Sequence, residues 1–380
     1  MASPTDVLNL TNSNLEQYLS SLSSSPSTLL LLNSPSTIAK YIKDNKISHV
    51  LFDCDGVIYR SSTPTSPTLI PTLRKLEKSL SISIGFVTNS SGKSRLACME
   101  KMVQVTGLDD TFRLEAFFPA GYAAARYLKE VHPTVKKAFV IGGEGLVEEL
   151  ENVGIECLGG PANCHGANAN ANANGSGYDF SVDEKQLEEL EFDKDVGAVV
   201  IGMAKDFNYR MLTLATTYLT SNEMNSKNIQ FVSTNLDPFD VIGPKSRRQP
   251  AAGCMVKAVE FAVGRESVTV GKPSEFLWDV VRKELEGENA NANANGNLKL
   301  NLNLQPENVL MVGDRIDTDI RFGKNCGFKT AVVLSGCTTG EELAKMEREG
   351  AQELPDVVIP HVGLFCYEDG DIDLEKKIGL

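Results

Sequence analysis

Two aspartates, Asp53 and Asp55, stand two positions apart at the end of the apolar run His49–Phe52, and a glycine follows at position 56. Residues i and i+2 of an extended strand point to the same side, so both carboxylates face one way. Like charges held this close need a nearby cation. The other candidates also lie just past apolar runs. Thr88, Asn89 and Ser90 follow one in "FVTNSSGKSR", Gly271-Lys272-Pro273 follows "VTV", and Asp314 and Asp319 follow "VLMV" within "GDRIDTDI".

Taken singly, each has an ordinary explanation. An aspartate after a strand caps the next helix, "TNSS" makes a turn, and a lone lysine is solvated. Asp317 and Asp319 suit the first turn of a helix. Together they say more, because ligands of open parallel sheets bind at the carboxyl ends of the strands. Four such ends carry polar groups here.

Elements able to gather those ends are legible as strand–helix alternation. Strands are predicted at 50–52, 82–87, 268–270, 309–312 and 330–334, and helices at 69–80, 94–105, 120–130, 276–285 and 317–325. A further helix carries Met255, Val259 and Ala262 on one face. This order implies an α/β fold, a Rossmann-like and mainly parallel sheet covered on both faces. Between the halves, strands at 138–141, 196–201 and 229–233 form a second alternating block, read as an inserted α/β domain. The expected organisation is an N-terminal arm (1–47, helix plus loop), a first core segment (48–133), the inserted domain (134–250) and a second core segment (251–380). Two Asn-Ala repeats, 167–177 and 288–297, are expected to be expanded surface loops, since such composition buries too little apolar surface to order itself.

Composition narrows the function. The 380-residue chain carries a net charge of -13, which disfavours nucleic-acid and membrane-surface binding and requires local cations around any phosphorylated ligand. Eight cysteines without a C-x-x-C pair read as reduced thiols. The longest apolar run, Val196–Ala204, falls far short of the ~18 residues that span a bilayer. Residues 20–36 are Ser-rich, but the first basic residue is Lys40, unlike transit or secretory leaders. A cytoplasmic location is expected, with the chloroplast as the alternative.

The four motifs "DCDGV", "TNS", the lysine of "GKPSEFLWDV" and "VGDRIDTDI" resemble, in order, those of the haloacid dehalogenase superfamily. The 35 positions from Asp53 to Thr88 leave no room for a cap domain, whereas the 184 from Thr88 to Lys272 do. The likeness is to the phosphoglycolate and pyridoxal phosphate phosphatases, the 4-nitrophenylphosphatase-like group, with "QPAAGC" departing from the usual Pro-Gly-x-Gly.

The resemblance implies an Mg2+-dependent phosphatase acting on a small phosphorylated metabolite, most closely 2-phosphoglycolate. A metabolite-repair or photorespiratory role follows from that substrate, and a homodimer joined through the cap is also implied. Asp53 would be the nucleophile and Asp55 the general acid and base. Asp53, the Asp55 carbonyl and Asp314 would hold the metal, with Asp319 orienting a metal-bound water or Lys272. Thr88, Asn89, Ser90 and Lys272 would bind phosphoryl oxygens. Asn235 and Asp237 would face the substrate from the cap. Four ionised aspartates total four negative charges. One Mg2+, Lys272 and a proton on Asp55 bring that to zero.

Cys54, between two carboxylates, is expected to be an inert thiol. Lys245, Arg247 and Arg248 read as a solvated basic hinge or an attractor of anionic substrate. His49, His132, His165 and His361 form no pattern. Pyridoxal 5'-phosphate is the competing substrate. A phospho-accepting receiver-like module is the competing class, disfavoured by Asp55 and by the inserted domain.

Overall fold

The computed structural model describes residues 4–21, 29–79, 82–108, 112–161, 185, 188, 192–221, 228–242, 247–291 and 304–365. Seven strands form one parallel sheet, in the spatial order Leu30–Leu31, Val357–Ile359, Lys329–Val333, Val309–Gly313, His49–Phe52, Ser83–Thr88 and Phe117–Pro119. The central strands His49–Phe52 and Val309–Gly313 are buried along their whole length. They read as unbroken apolar runs because helices cover both faces. From His49–Phe52 the chain winds outward through Ser83–Thr88, and later returns to add Val309–Gly313 on the opposite side. Ligands of open α/β sheets bind at this kind of reversal. One face of the sheet is packed with aromatics: Phe86 stacks on Phe117 at 4.8 Å, and Phe52 meets Phe365 edge-on at 5.6 Å.

A second sheet of five parallel strands runs Val268–Thr269, Gln230–Ser233, Val196–Ile201, Lys137–Ile141 and Glu156–Gly159. This corrects the expected boundary at 250. Strand Val268–Thr269 pairs with Gln230–Ser233. The helix Ala252–Val263 packs Met255, Val256 and Val259 into a cluster with Val199, Ile201 and Met211. A two-residue strand looks the same in either sheet, so only its partner reveals where it belongs. The two sheets share a buried cluster running from Leu51, Val87 and Met311 through Ala123 and Leu128 to Val140 and Val200.

The N-terminal region is also more than an arm of helix and loop. Leu30–Leu31 adds an edge strand to the main sheet and covers the backbone groups of Val357–Ile359, which an open edge would leave unpaired. Helix Pro4–Ser21 buries Tyr18 beside helix Gly340–Arg348, so closely that a Cβ at Gly340 would collide with the Asn14 carbonyl. The predicted helix at 317–325 begins instead as a π turn, Ile316–Ile320, and becomes α-helical only over Arg321–Asn325. Helix Glu275–Asn291 runs into the second Asn-Ala repeat, where a loop was expected. Lengthening an established helix needs no new nucleus, and alanine favours it. The first repeat and Lys245 lie outside the described residues, as do residues 292–297 of the second. No helix among those described is long and apolar enough to cross a membrane.

Two histidines without a motif have a structural consequence. His49 and His361 are buried, and burial lowers both to about 4. The His361 Nδ1 has no hydrogen-bond partner. The unfolded imidazole takes up a proton near pH 6.5, which the folded one refuses until about pH 4. Stability is therefore complete above 6.5 and lost as the pH falls towards 4, by about 3 kcal/mol for each histidine. Denaturant titrations at pH 7 and 4.5 should show His361→Leu losing less stability on acidification than the parent chain.

Candidate active site

Asp53 follows the strand His49–Phe52 and still donates its N–H to the Val312 carbonyl at 2.9 Å, so its backbone is held by the sheet. Lys272 crosses to it from the loop after Val268–Thr269. The buried ammonium donates to Asp53 Oδ1 at 2.6 Å, to Asp319 Oδ1 at 2.6 Å and to the Val87 carbonyl at 2.8 Å. These three partners use all three of its N–H donors. Burial works against the charge on Lys272, but Asp319 and Asp53 outweigh it and hold the amine protonated far above neutrality.

Asp319 is placed by the π turn. Its Oδ2 accepts the N–H groups of Asp314 and Arg315, both at 3.0 Å. Gly313 makes room for this, since a Cβ there would collide with the Asp319 side chain. Asp314 Oδ2 accepts the Cys337 N–H at 2.6 Å. Gly56, at φ +87°, lies so close to the Asp314 carboxylate that a Cβ would overlap it.

One carboxylate oxygen each from Asp53, Asp314 and Asp319 lies within 4.8 Å of the others, and all three residues are buried. Desolvation pushes Asp53 well above the usual carboxylate range, with Lys272 opposing. It pushes Asp314 up to about 7, with the charge of Asp319 adding to the effect. Three buried carboxylates against one ammonium leave the cluster short of positive charge. Hard oxygen donors at this spacing fit an ion of the Mg2+ class.

Asp55 turns to the cleft mouth, where Lys101 Nζ stands 3.4 Å from its Oδ1 and lies over the Tyr59 ring at 3.7 Å. The cleft walls raise its carboxyl above the usual range, and Lys101 pulls the other way. Ser90 donates its N–H to Thr88 Oγ1 at 3.1 Å, and both residues line the cleft.

Asn89 also lines the cleft. Its Oδ1 accepts the Lys272 N–H at 2.9 Å, while its Nδ2 donates to the Lys272 carbonyl and to the Asp237 carboxylate, each at 3.2 Å. It therefore fixes the lysine loop. Asn235 donates to the Asn89 carbonyl at 2.7 Å, so both cap residues named from the sequence reach the site. Burial raises Asp237 to about 6, against Arg315 and the Asn89 amide.

The second domain is docked tightly onto the segment that follows Thr88, Asn89 and Ser90. Ser91 Oγ accepts the Met203 N–H at 2.9 Å, and the Arg95 N–H donates to Glu149. A Cβ at Gly145 would collide with the main chain of Lys93 and Ser94.

The cleft encloses about 480 Å3. That suits a small metabolite. Sequence reasoning missed several of its charged walls: Arg60, Lys93, Lys101, Lys205, Asp240 and Arg315. Lys93 and Arg315 lie within "TNSSGKSR" and "GDRIDTDI", and no motif marks the other four. Arg315 pairs with Asp317 at 3.0 Å. Arg247 and Arg248 are exposed and do not line the cleft, and the Arg248 guanidinium lies 4.0 Å over the Phe239 ring. The Cys54 thiol is raised well above its usual range, first by burial and then by Asp53, which keeps it unreactive.

The haloacid dehalogenase-like hydrolase family profile matches residues 50–156, and a HAD-hydrolase-like profile matches 269–363. Phosphoglycolate phosphatase 2 of Arabidopsis thaliana is 35% identical over 79% of this chain and 86% of its own length. Glycerol-3-phosphate phosphatase of Rattus norvegicus is 34% identical over 78% of this chain and 82% of its own. The solved p-nitrophenyl phosphatase from Archaeoglobus fulgidus superposes with a TM-score of 0.61 at 28% identity, covering 83% of this chain and 97% of that one.

Proposed function

Since the chain belongs to the haloacid dehalogenase-like hydrolases and is a phosphoric monoester hydrolase, we propose that it converts 2-phosphoglycolate to glycolate and phosphate through an aspartyl-phosphate on Asp53. One observation carries the choice of substrate. Among the cations lining the cleft, Lys272, Lys101 and Arg315 are each in an ion pair, whereas Arg60, Lys93 and Lys205 have no ion-pair partner among the described residues. Such a wall favours a substrate with negative charge beyond its phosphate.

In this reading an Asp53 oxygen attacks phosphorus, and the bond from phosphorus to the glycolate oxygen breaks. Asp55 delivers a proton to that leaving oxygen. Burial in the cleft raises this carboxyl above the usual range, the direction a proton donor needs, with Lys101 opposing. The emptied carboxylate then takes a proton from the water that attacks the aspartyl-phosphate, which frees phosphate and restores Asp53. Lys272 steadies the charge on Asp53 and on the phosphoryl oxygens. A divalent cation, held by Asp53, Asp314 and the Asp55 carbonyl, would neutralise the phosphoryl oxygens. Asp319 keeps Lys272 and the Asp314 backbone in place.

The test is purified protein with Mg2+ and a panel of 2-phosphoglycolate, glycerol 3-phosphate and pyridoxal 5'-phosphate. The expected kcat/KM for 2-phosphoglycolate exceeds both others by about tenfold or more, the scale on which one well-placed charged contact discriminates. A tenfold advantage for pyridoxal 5'-phosphate, or parity with glycerol 3-phosphate, would refute the assignment.

A further inference from the structure

We infer that Lys205, on the second domain, is the residue that reads the carboxylate of the substrate. This rests on the substrate reading above and assigns its specificity to a single side chain. Lys205 lines the cleft, is exposed to it, and has neither a hydrogen-bond nor an ion-pair partner among the described residues. Its position relative to the phosphoryl pocket is fixed by the chain just before it. Strand Val196–Ile201 delivers Gly202 and Met203 to the segment after Ser90, where the Met203 N–H bonds Ser91 Oγ at 2.9 Å. Gly202 faces the same serine, and a Cβ there would come within 2.8 Å of Ser91 Oγ. Lys205 therefore starts two residues beyond an anchor to the loop that carries Thr88, Asn89 and Ser90.

The side chain is long, cationic and uncommitted, and it lines the same cleft as the buried Lys272. Asp240 also lines the cleft, near enough for the Lys205 charge to act on its carboxylate without an ion pair between them. In the substrate reading, the carboxylate of 2-phosphoglycolate, two carbons from its phosphate ester oxygen, is the group this ammonium would meet. An ester ending in a hydroxyl gains no comparable charge-assisted bond there.

The experiment measures kcat/KM for 2-phosphoglycolate and glycerol 3-phosphate on the parent chain, Lys205→Met and Lys205→Arg, by phosphate release. The readout is the ratio of the two substrates, so any general loss of activity cancels. In Lys205→Met the ratio should fall by roughly tenfold to a hundredfold, carried mainly by a rise in KM for 2-phosphoglycolate, and Lys205→Arg should keep most of it. A parent ratio well above one that survives Lys205→Met overturns the Lys205 assignment while leaving the substrate reading intact. A parent ratio near one overturns both. If Lys205→Arg falls as far as Lys205→Met, charge is not what the side chain contributes, and the inference fails.

Discussion

Asp53→Asn should leave a folded protein that releases no phosphate above background, a loss of roughly 10^4-fold or more, as expected when the sole nucleophile of a two-step reaction is removed. The amide keeps the shape of the side chain and an oxygen for Lys272, but it cannot form the acyl phosphate. The same substitution should not weaken the fold. Asp53 is held well above the usual carboxylate range by burial and by its neighbours Asp319 and Asp314. A carboxyl raised on folding stabilises only at low pH, and that contribution is lost as the pH climbs past the ordinary carboxylate range. Burial thus works against the Asp53 carboxylate, a cost that asparagine removes, so the melting temperature measured in EDTA should stay level or rise. Phosphate release by Asp53→Asn at more than a hundredth of the parent rate, checked by mass spectrometry for deamidation back to aspartate, would eliminate Asp53 as the nucleophile.

Lys272→Met should do the reverse, costing stability as well as activity. Among the described residues the ammonium is the one cation in contact with two buried carboxylates, and methionine keeps the stem without the charge. Breaking a buried pair by deleting one partner costs about 3–5 kcal/mol, because the other charge stays behind unpaired. The sign holds at working pH. The Lys272 amine is raised on folding, so its contribution is complete at every pH below the unfolded lysine range and fades only in strong alkali. Denaturant unfolding in EDTA reads this loss directly. Excess Mg2+ should stabilise the variant more than the parent, since a divalent ion then faces three carboxylates with no competing ammonium. A variant as stable as the parent in EDTA, or indifferent to Mg2+, would contradict this account of the cluster.

Much of this site was visible before the fold. Strands His49–Phe52 and Val309–Gly313 are buried on both faces, so they stand out as apolar runs, and the residues that break those runs are Asp53 and Asp314. What stayed hidden was pairing over distance. Lys101 lies 46 positions from Asp55 on a helix, and nothing in "MEKMV" marks it as a partner. Lys205 is an isolated charge with no periodicity to betray it, and Arg315 sits beside Asp314 in "GDRIDTDI" with only the fold to show that it lines the cleft. The Asn89 side chain was assigned to phosphate because its position suited that. Its bonds to the Lys272 backbone depend on a loop 183 positions away. The two-residue strands Leu30–Leu31 and Val268–Thr269 are too short to show which sheet they join.

The seam at Gly145, Ser91 and Glu149 has a consequence for how such a protein can change over time. The second domain meets the segment around Ser91–Arg95 through Gly145, where a Cβ would collide with the main chain of Lys93 and Ser94, and through the hydrogen bonds Met203–Ser91 and Arg95–Glu149. A chimera that took its second domain from a relative would misalign these contacts unless the seam residues travelled with it. New preferences should therefore arise by exchange of single side chains on the cleft wall, with whole-module replacement closed off by the fit between the halves.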